Sequence, residues 1–493
     1  MKQLKDILFG VGLEAIQGKT DMPISFVAFD SRKVKEGSLF VAIKGDVVDG
    51  HDYIQKAITL GAVAVVCENK PINASVNVVW ITTTNSRKAL AILASNFYDT
   101  PSAKLKLIGV TGTNGKTTVT TLLHRLFEKA GYATGLLSTI AIKYNSEEIL
   151  ASHTTPDPLQ INAYLSTMVE AGVDHCFMEV SSHGIDQDRI KGLVFAGGVF
   201  TNLSHDHLDY HKTFADYRDV KKQFFDQLPK TAFALTNADD KNGAYMLQNS
   251  KAKKKSFGLQ NFADYQAKVL EIQFSGMLLK INQQEVWTSL VGRFNASNLI
   301  AAFAVAQELG ITALETLAMI SELKNVKGRF QTFATPNKAT IIVDYAHTPD
   351  ALENVLLTIQ QIRTKNETLT TVVGCGGNRD QGKRPLMGKV VAQLSDKVIF
   401  TADNPRDEDP ELIIDAMEAG VSPEDFKKTL RITSREQAIK AACMSLTPGD
   451  VLLIAGKGHE DYQEINGIRS PFDDYLVAQK ICKQLFKYAV LFI

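Results

Sequence analysis

The sequence has 493 residues, 45% of them hydrophobic and 22% charged, a composition typical of globular proteins with about three domains. Lysine plus arginine and aspartate plus glutamate both total 54, so the charge favours neither a nucleic-acid partner nor an anionic membrane surface. The five scattered cysteines and the lack of a bilayer-length apolar run predict a cytoplasmic protein without membrane insertion.

The first block of the chain, residues 1–100, alternates short strand-like and helix-like segments. Its strand-like runs cover residues 39–43, 62–67 and 76–81. The turn-forming sequence Asp-Thr-Pro-Ser at residues 99–102 closes the block. These features predict a smaller α/β domain at the N-terminus.

A glycine-rich loop follows, between an apolar strand-like run at residues 105–111 and an amphipathic helical pattern at residues 119–127. The loop N–H groups and the helix N-terminus would face an anion, Lys116 adds a positive charge, and the Thr117 hydroxyl can hold a magnesium ion. The spacing departs from the usual P-loop because Val110, and not a glycine, stands five positions before Gly115. This layout predicts a nucleoside triphosphate site formed by Gly112, Thr113, Asn114, Gly115, Lys116 and Thr117.

Possible metal ligands come next along the chain. Glu179 follows an apolar stretch, and residues 202–211 are rich in histidine and aspartate, with His207 among them. Magnesium prefers oxygen ligands, so Glu179 suits it better than a histidine does. From the residues alone, the histidine-rich segment is either a zinc site or a polar loop. The helical pattern at residues 216–225 carries Lys221 and Lys222, a type of residue that is usually a solvated charge.

The last third of the chain has the clearest alternation of strands and helices. Helical patterns separate five strand-like runs, at residues 340–343, 369–373, 397–401, 430–433 and 451–455. This alternation predicts a doubly wound parallel sheet, in which ligands bind beyond the carboxyl ends of the strands. The residues that follow those ends include Asp344, Gly374, Asp403 and Gly456.

The loop sequence GTNGKTT resembles the ATP loop of the Mur ligases and of their folylpolyglutamate synthetase relatives, which join an amino acid to a carboxylate at the expense of ATP. Later segments match Mur ligase motifs in order and spacing, so the resemblance covers essentially the whole chain. The resemblance implies a three-domain α/β fold. Its domains would be a UDP-sugar-binding domain at residues 1–100, a central ATP-binding domain with a parallel sheet at residues 101–329, and a C-terminal Rossmann-like, amino-acid-binding domain at residues 330–493.

The resemblance also assigns roles around ATP and Mg²⁺, the cofactors that it implies. In the family, two asparagines lie by the adenine, an arginine reaches the phosphates and an aspartate meets the ribose; the matching residues are Asn295, Asn298, Arg329 and Asp344. The implied catalytic groups and metal ligands are Lys116, Thr117, Glu179 and His207. A family lysine is carbamylated to N6-carboxylysine, which the register places at Lys221, with Lys222 as the neighbouring alternative.

A site for a UDP-sugar dipeptide is implied as well. Residues 30–32 and 45–50 match the family segments that hold the uridine nucleotide. His153 stands where many family members have asparagine. The residues implied to bind the UDP-sugar dipeptide are Ser31, Thr154, Thr155, Ser181, Gln187 and Arg189.

Motifs of the last domain narrow the resemblance to the family member that adds meso-2,6-diaminopimelate. Matching segments lie at residues 374–380, 382–385, 403–406 and 456–460, and lysine-adding members lack the arginine of Asn-Pro-Arg. Diaminopimelate is lysine with an extra distal carboxylate, which the guanidinium groups of Arg379 and Arg406 are suited to bind, while Glu460 would face the distal ammonium. The implied diaminopimelate site comprises Arg379, Asp403, Asn404, Pro405, Arg406, Gly456 and Glu460.

The function that the resemblance implies is an ATP-dependent ligase of peptidoglycan precursor synthesis. It would join meso-diaminopimelate to the D-glutamate γ-carboxylate of UDP-N-acetylmuramoyl-L-alanyl-D-glutamate through an acyl phosphate, and we expect it to act as a monomer. Three alternatives stay open: a lysine-adding ligase of the same family, a folylpolyglutamate synthetase-like ligase, and a nucleotide-binding protein without catalytic activity.

Overall fold

The computed structural model describes residues 1–45, 48–151, 153–204, 206 and 208–485. Within these ranges the chain forms three large sheets, which we call the N-terminal, central and C-terminal sheets. None of the helices in the described ranges combines the length and the apolar character that crossing a membrane requires.

The N-terminal sheet is built from short strands packed between helices. The strands of this part are β1 (Lys2–Gln3), β2 (Ala15–Gln17), β3 (Pro23–Ile24), β4 (Phe26–Ala28), β5 (Ser38–Val41), β6 (Ala62–Cys67) and β7 (Val79–Thr82). The helices are α1 (Leu4–Ile7), α2 (Ile54–Thr59) and α3 (Ser86–Phe97). The sheet order is β2-β7-β6-β5-β4, parallel except for the β2–β7 pair. Apolar side chains on one face pack with α1 and α3, and those on the other pack with α2.

The central part contains the largest sheet. Its strands are β8 (Lys106–Thr111), β9 (Thr134–Leu137), β10 (Ala141–Tyr144), β11 (Glu147–Leu150), β12 (His175–Glu179), β13 (Gly197–Phe200), β14 (Phe233–Asn237), β15 (Lys253–Gly258), β16 (Tyr265–Gln273), β17 (Gly276–Ile281) and β18 (Gln284–Thr288). Its helices are α4 (Lys116–Lys129), α5 (Pro158–Glu170), α6 (Ser182–Asp186), α7 (Leu208–His211), α8 (Phe214–Asp226), α9 (Gly243–Met246), α10 (Arg293–Glu308) and α11 (Ala313–Ser321).

Parallel strands form the middle of the central sheet, in the order β9-β12-β8-β13-β14-β15-β16. Antiparallel strands extend both edges, β10 and β11 on one side and β17 and β18 on the other. Successive strand residues face opposite sides, so Ile108 and Val110 pack with α4 and α10, whereas Leu107 packs with α5 and α8. Both faces of β8 are therefore buried, and its carboxyl end lies in the middle of the sheet.

The C-terminal part repeats this plan on a smaller scale. Its strands are β19 (Gln331–Ala334), β20 (Thr340–Asp344), β21 (Leu369–Val373), β22 (Lys397–Phe400), β23 (Thr429–Arg431), β24 (Val451–Ala455), β25 (Tyr462–Ile465) and β26 (Ile468–Pro471). Its helices are α12 (Pro349–Ile362), α13 (Lys383–Leu394), α14 (Pro410–Glu418), α15 (Arg435–Met444) and α16 (Asp474–Leu485). The sheet order is β19-β20-β24-β21-β22-β23, parallel from β20 onward.

The doubly wound arrangement predicted from the alternating pattern is confirmed. Helices α12, α13 and α14 pack on one face of the C-terminal sheet with Ile342 and Leu453, and α15 and α16 pack on the other with Ile341 and Leu452. The predicted runs 62–67, 369–373 and 451–455 coincide with β6, β21 and β24. The proposed division at residues 100 and 329 stays a prediction.

Candidate active site

The glycine-rich loop connects the end of β8 to the start of α4 in the middle of the central sheet. Two of its glycines have positive φ, 151° at Gly112 and 87° at Gly115, the residue before the helix. A Cβ atom on Gly112 would collide with the Thr201 hydroxyl, and one on Gly115 would lie 2.5 Å from Asn298 Oδ1. The loop therefore needs glycine at both positions for its conformation and for its close packing.

The missing glycine of the usual P-loop has a structural explanation. Val110 is a fully buried residue of β8, which continues to Thr111, so the loop is shorter than the motif spacing suggests. Lys116 folds back over this short loop, and its Nζ donates to the carbonyl oxygens of Gly112 at 2.8 Å and Thr113 at 2.9 Å. Burial lowers the pKa of Lys116, while Glu179 opposes that change. The Lys116 ammonium thus lies against the backbone of Gly112 and Thr113, at the start of the loop.

Asn114 ties the loop to neighbouring segments. Its N–H donates to Asn202 Oδ1 at 2.9 Å, and its carbonyl accepts a hydrogen bond from the Thr201 hydroxyl at 2.6 Å. Its side-chain amide donates to Asp350 Oδ2 on α12 at 3.3 Å, so the loop contacts the C-terminal part of the chain. The loop geometry therefore depends on both sheets.

Oxygen atoms suited to a magnesium ion lie next to the loop. Glu179 ends β12, is fully buried and accepts hydrogen bonds from the Thr139 N–H at 2.7 Å and hydroxyl at 3.1 Å. Thr117 lies in the first turn of α4, and its Oγ1 accepts a hydrogen bond from the Arg329 guanidinium at 3.3 Å. His207 falls outside the described residues, and the described residues contain no cluster of three His, Cys, Asp or Glu able to hold a metal. Hard oxygen donors beside a phosphate loop fit magnesium.

The structure separates Lys221 from Lys222, which the sequence left as alternatives. The Lys221 side chain is buried, and its Nζ donates to the Gly112 carbonyl at 3.0 Å and lies 4.6 Å from the Tyr217 ring. Lys222 turns away and pairs with both carboxylate oxygens of Asp226 at 2.7 Å. Burial, reinforced by the Lys116 charge, places the pKa of Lys221 well below its usual value. Only Lys221 of the two reaches the phosphate loop.

The two predicted adenine-side asparagines differ in their surroundings. Asn295 is buried in the first turn of α10, where its Nδ2 donates to the Val291 carbonyl at 2.8 Å and its Oδ1 accepts from Asn298 Nδ2 at 3.4 Å. Asn298 packs against Gly115 of the phosphate loop. The structure therefore brings Asn298 to the loop directly and Asn295 through Asn298.

Arg329 and Asp344 lie where the central and C-terminal parts meet. The Arg329 guanidinium stacks on the Tyr345 ring at 4.4 Å and reaches Thr117 of α4. Asp344 ends β20, and its two carboxylate oxygens accept the N–H groups of Phe330 at 2.6 Å and Ala346 at 2.7 Å. Burial raises the pKa of Asp344. The Asp344 carboxylate thus also fixes the turn that carries Arg329.

A cavity of about 660 Å³ lies between the N-terminal and central parts. Three residues predicted to bind the UDP-sugar dipeptide line it, namely Ser31, Gln187 and Arg189, together with His153. Arg32, in the segment 30–32 matched to the uridine nucleotide, also lines the cavity. Tyr53, Lys56 and Arg87 line it as well; they share no motif, and the sequence alone did not point to them. Basic side chains around a cavity of this size suit an anionic, nucleotide-sized ligand.

The remaining predicted residues connect this cavity to Glu179. Arg189 donates to the Thr155 carbonyl at 2.6 Å, and the Thr155 hydroxyl donates to the Glu179 carbonyl at 2.9 Å and accepts the Ser181 N–H at 3.0 Å. The Thr154 hydroxyl oxygen lies 3.0 Å from that of Thr139, whose single hydrogen is donated to the Glu179 carboxylate. A continuous series of polar contacts therefore leads from the cavity to Glu179.

A second polar site lies beyond the carboxyl ends of the C-terminal strands. Arg406 has a φ of 53°, and its Nη1 donates to the Gly377 carbonyl at 2.7 Å. A Cβ on Gly377 would collide with the Pro405 carbonyl, so the two segments can approach this closely only because residue 377 is a glycine. Arg379 is exposed at the edge of the same site. The structure thus brings Arg379, Pro405 and Arg406 together.

The floor of this site consists of buried polar groups. Asn404 Nδ2 donates to Glu460 Oε2 at 2.8 Å. Gly456 has a φ of 114°, and a Cβ there would lie 2.5 Å from Asp403 Oδ2. Lys457, which the sequence reasoning did not select, is fully buried in the same network. The sequence contains one indication of its importance, namely that it lies in the matched segment 456–460, between Gly456 and Glu460.

These features define an α/β protein with a P-loop-type site on its central sheet, a nucleotide-sized cavity on one side and a charged site at the strand ends of its C-terminal sheet. Domain families match in the same order: "Mur ligase family, catalytic domain" over residues 23–98, "Mur ligase middle domain" over 110–306 and "Mur ligase, glutamate ligase domain" over 328–458. The chain belongs to the Mur ligase family, as its similarity to full-length curated relatives also shows.

Several relatives share the full length of the chain. A protein of Cytophaga hutchinsonii is 49% identical over 98% of the chain and 100% of its own length, and one of Parabacteroides distasonis is 52% identical over 96% and 97%. Both carry the name UDP-N-acetylmuramoyl-L-alanyl-D-glutamate--2,6-diaminopimelate ligase. A solved structure with the same name is 32% identical, with a TM-score of 0.70 and coverage of 98% of this chain and 99% of that one. The MurF ligase of Thermotoga maritima in complex with ADP shares the fold at 20% identity, with a TM-score of 0.63 and coverage of 94% and 98%.

Proposed function

We propose that the chain is an ATP-dependent ligase that joins meso-diaminopimelate to the D-glutamate γ-carboxylate of UDP-N-acetylmuramoyl-L-alanyl-D-glutamate, in peptidoglycan precursor synthesis. The observation that carries this proposal is the site in which Arg406 and Arg379 lie beside the Asn404–Glu460 pair. Two guanidinium groups beside a carboxylate match a substrate with a distal carboxylate and an ammonium group. The names of the full-length relatives support the same substrates.

ATP is proposed to bind with its phosphates on the loop formed by residues 112–117. Lys116 and Arg329 would contact the phosphates, Asn295 and Asn298 would fix the adenine, and Asp344 would meet the ribose. Thr117 and Glu179 would hold Mg²⁺ together with phosphate oxygens, and His207 is the further proposed ligand. When bound, Mg²⁺ neutralises charge on the phosphate oxygens.

The UDP-sugar would occupy the 660 Å³ cavity, with its diphosphate among the basic side chains. Its dipeptide would follow the path past Thr155 and Ser181, so that the D-glutamate γ-carboxylate reaches Lys116. A carboxylate oxygen attacks the γ-phosphorus, the bond from that phosphorus to the bridging oxygen of ADP breaks, and an acyl phosphate forms. Lys116 and the loop N–H groups offset the charge that develops on the transferred group.

Diaminopimelate would bind beyond the C-terminal sheet, with Arg379 and Arg406 on its distal carboxylate and Glu460 near its distal ammonium. Its other amine, in the neutral form, attacks the acyl carbon. The nitrogen then loses a proton to solvent, and collapse of the tetrahedral intermediate expels inorganic phosphate and leaves the amide. Asp403, Asn404 and Gly456 position the amine and take no part in bond making. An arginine left without its carboxylate would penalise lysine in this site.

Lys221 is the proposed position of N6-carboxylysine. Carbon dioxide reacts with a neutral amine, and burial already favours the neutral form of this side chain. The carbamate would add a negative group beside the loop, close to Lys116. The lowered pKa and the contact with Gly112 support Lys221 over Lys222.

Location and assembly also remain proposals. We propose that the protein is cytoplasmic and binds neither nucleic acid nor membrane. The five cysteines are all buried and unpaired, which suits a reducing compartment. The proposed monomer is checked by light scattering of the purified chain, where a dimer mass would contradict it.

The proposed function is tested by a substrate panel with phosphate release as the readout. The chain receives ATP, Mg²⁺ and the UDP-sugar dipeptide, together with meso-diaminopimelate, lysine or ornithine. Release is expected with diaminopimelate alone, and a Lys116→Met variant provides the inactive control. Equal release with lysine would indicate a lysine-adding ligase, and release only with a folate and glutamate would indicate a folylpolyglutamate synthetase-like ligase. ATP binding without amino-acid-dependent turnover would indicate a non-catalytic nucleotide-binding protein.

A further inference from the structure

The proposed diaminopimelate site contains a buried lysine to which no role has been given. Lys457 follows Gly456 directly beyond β24, and its side chain is inaccessible to solvent. Its Nζ donates to Asn404 Oδ1 at 2.9 Å and to Glu460 Oε2 at 3.2 Å, and lies 4.0 Å from Asp403 Oδ1. A buried ammonium is costly unless it is paired and hydrogen-bonded. The partners Asp403, Asn404 and Glu460 all belong to the proposed diaminopimelate site, which we call the amino-acid site.

We propose that Lys457 is a positioning residue for the amino-acid substrate. It orients Asn404 and Glu460 and balances one of two carboxylates, those of the buried Asp403 and the half-buried Glu460. The other carboxylate is then left for an ammonium group of the substrate. This inference rests on the proposed function, because it takes the site to be the one that binds diaminopimelate.

The Asn404 amide is held in one orientation by the groups around it. Its Oδ1 accepts two hydrogen bonds, from Lys457 Nζ at 2.9 Å and from the Glu464 N–H at 2.9 Å. With both donors on the oxygen, the NH₂ group must point to the other side, where it donates to Glu460 Oε2 at 2.8 Å. The second hydrogen of that NH₂ group is then available to a substrate carboxylate. Lys457 supplies one of the two donors that fix this arrangement.

The charged groups in the floor of the site do not cancel one another. Asp403 and Glu460 contribute two negative charges and Lys457 contributes one positive charge. The neighbouring pair of Arg435 and Asp474, fully buried and joined by hydrogen bonds of 2.8 and 2.7 Å, is neutral by itself. The floor therefore carries one negative charge that a substrate ammonium would balance. Consistent with this excess of negative charge, burial and the neighbouring Asp403 carboxylate raise the pKa of Glu460.

Lys457 is also linked to the arginine that is proposed to select diaminopimelate. The Lys457 ammonium lies 5.5 Å from the Tyr462 ring at the start of the β25–β26 hairpin. The same hairpin holds the backbone of Arg406, whose N–H donates to the Glu464 carbonyl at 3.1 Å and whose carbonyl accepts the Asn466 N–H at 2.7 Å. Loss of Lys457 would therefore disturb both ends of the amino-acid site, whereas the contacts of its ammonium described above involve no residue of the loop at 112–117.

The test is a steady-state comparison of Lys457→Met with Lys397→Met. The control removes the same charge from an exposed position at the start of β22 in the same domain. Because truncating one partner of a buried hydrogen-bonded charge pair is expensive, Lys457→Met should raise the KM for diaminopimelate by about 30-fold or more. The KM for ATP and kcat should stay within about threefold of wild type, a split that general loss of folded protein would not produce.

A double-mutant cycle with Asn404→Ala tests whether Lys457 acts through Asn404. In that background the further effect of Lys457→Met should be clearly smaller than in the wild type, whereas additive effects would contradict positioning. If thermal melting shows that Lys457→Met does not fold, Lys457→Gln, which keeps a hydrogen-bond donor without the charge, takes its place with the same expected split.

The outcomes separate this inference from the function on which it rests. Absence of diaminopimelate-dependent turnover in the wild type overturns the proposed function and the inference with it. Normal wild-type turnover with an unchanged KM for diaminopimelate in the folded Lys457 variant overturns the inference alone. An equal rise in the KM values for ATP and diaminopimelate would also overturn it.

Discussion

The phosphate loop and the amino-acid site both lie beyond the carboxyl ends of parallel strands, but they are built from different parts of the chain. The loop uses the backbone of six consecutive residues, and its lysine bonds carbonyls three and four positions earlier. The amino-acid site joins side chains that are 53 and 56 positions apart, as in the contacts of Asn404 with Lys457 and Glu460. A local site concentrates charge at one point, whereas a dispersed site depends on the mutual orientation of many groups.

The largest expected effect tests the local site. Replacing Lys116 by Met removes the charge proposed to face the transferred phosphoryl group, so kcat for phosphate release should fall by about 10³-fold. Lys129→Met, at the far end of the same helix, serves as the control because Lys129 pairs with Glu322 on the surface, away from the loop. A Lys116 variant that kept a tenth of the wild-type rate, on the order of one unit in log kcat, would show that the loop does not depend on this charge.

The next prediction compares two adjacent lysines. Lys221→Met should lower activity roughly 100-fold because it removes the group proposed to carry the carbamate beside the loop. Lys222→Met should have a much smaller effect, since Lys222 pairs with Asp226 away from the loop. Wild-type protein prepared without carbon dioxide should regain activity on addition of bicarbonate, and the Lys221 variant should not. Equal losses in the two variants would remove the basis for this assignment.

The difference between the two sites also explains what could be predicted from the sequence. The strand, the loop and α4 were predictable because their hydrophobic pattern and glycine positions are local. The short loop at Val110 was recognised as a departure, but the extent of β8 explains it only in the structure.

Other parts depend on contacts between distant segments. The choice between Lys221 and Lys222 requires the direction in which each side chain leaves α8, and one residue along a helix turns that direction by about 100°. The basic lining of the nucleotide-sized cavity and the burial of Lys457 bring together residues that share no sequence motif. Such features follow from tertiary packing, so a single sequence does not show them.

A smaller effect is expected in the dispersed site when Arg406 is replaced. Arg406→Ala removes the guanidinium proposed to bind the distal carboxylate, so the KM for diaminopimelate should rise by about 10- to 100-fold while kcat changes little. The preference for diaminopimelate over lysine should fall by the same factor, measured as the ratio of kcat/KM values. Lys427→Ala removes an exposed cation of the same domain and should leave that ratio unchanged. Retained preference in Arg406→Ala would assign the discrimination to other residues.

The smallest expected effect is on the free energy of unfolding, through a histidine on α4, the helix that follows the loop. It involves no residue of the amino-acid site. His124 lies on α4, almost completely buried, with its Nδ1 3.2 Å from Glu128 Oε2. Burial, with smaller contributions from Lys143 and Arg125, lowers the pKa of His124 to about 4, against 6.5 for an exposed histidine. Between these values the unfolded chain binds a proton that the folded chain does not, so stability falls as the pH falls from 6.5 towards 4.

At pH 5 this histidine should therefore make the folded protein about 2 kcal/mol less stable than it is at pH 7. Replacing His124 by Gln removes the titrating group, so its free energy of unfolding should fall less between these two pH values than that of the wild type. Urea denaturation of both proteins at pH 7 and pH 5 measures the difference, and other acid-sensitive groups cancel because both proteins contain them. An identical pH dependence in the two proteins would show that His124 is protonated in the folded state. In that case α4 would tolerate a charge on its buried face.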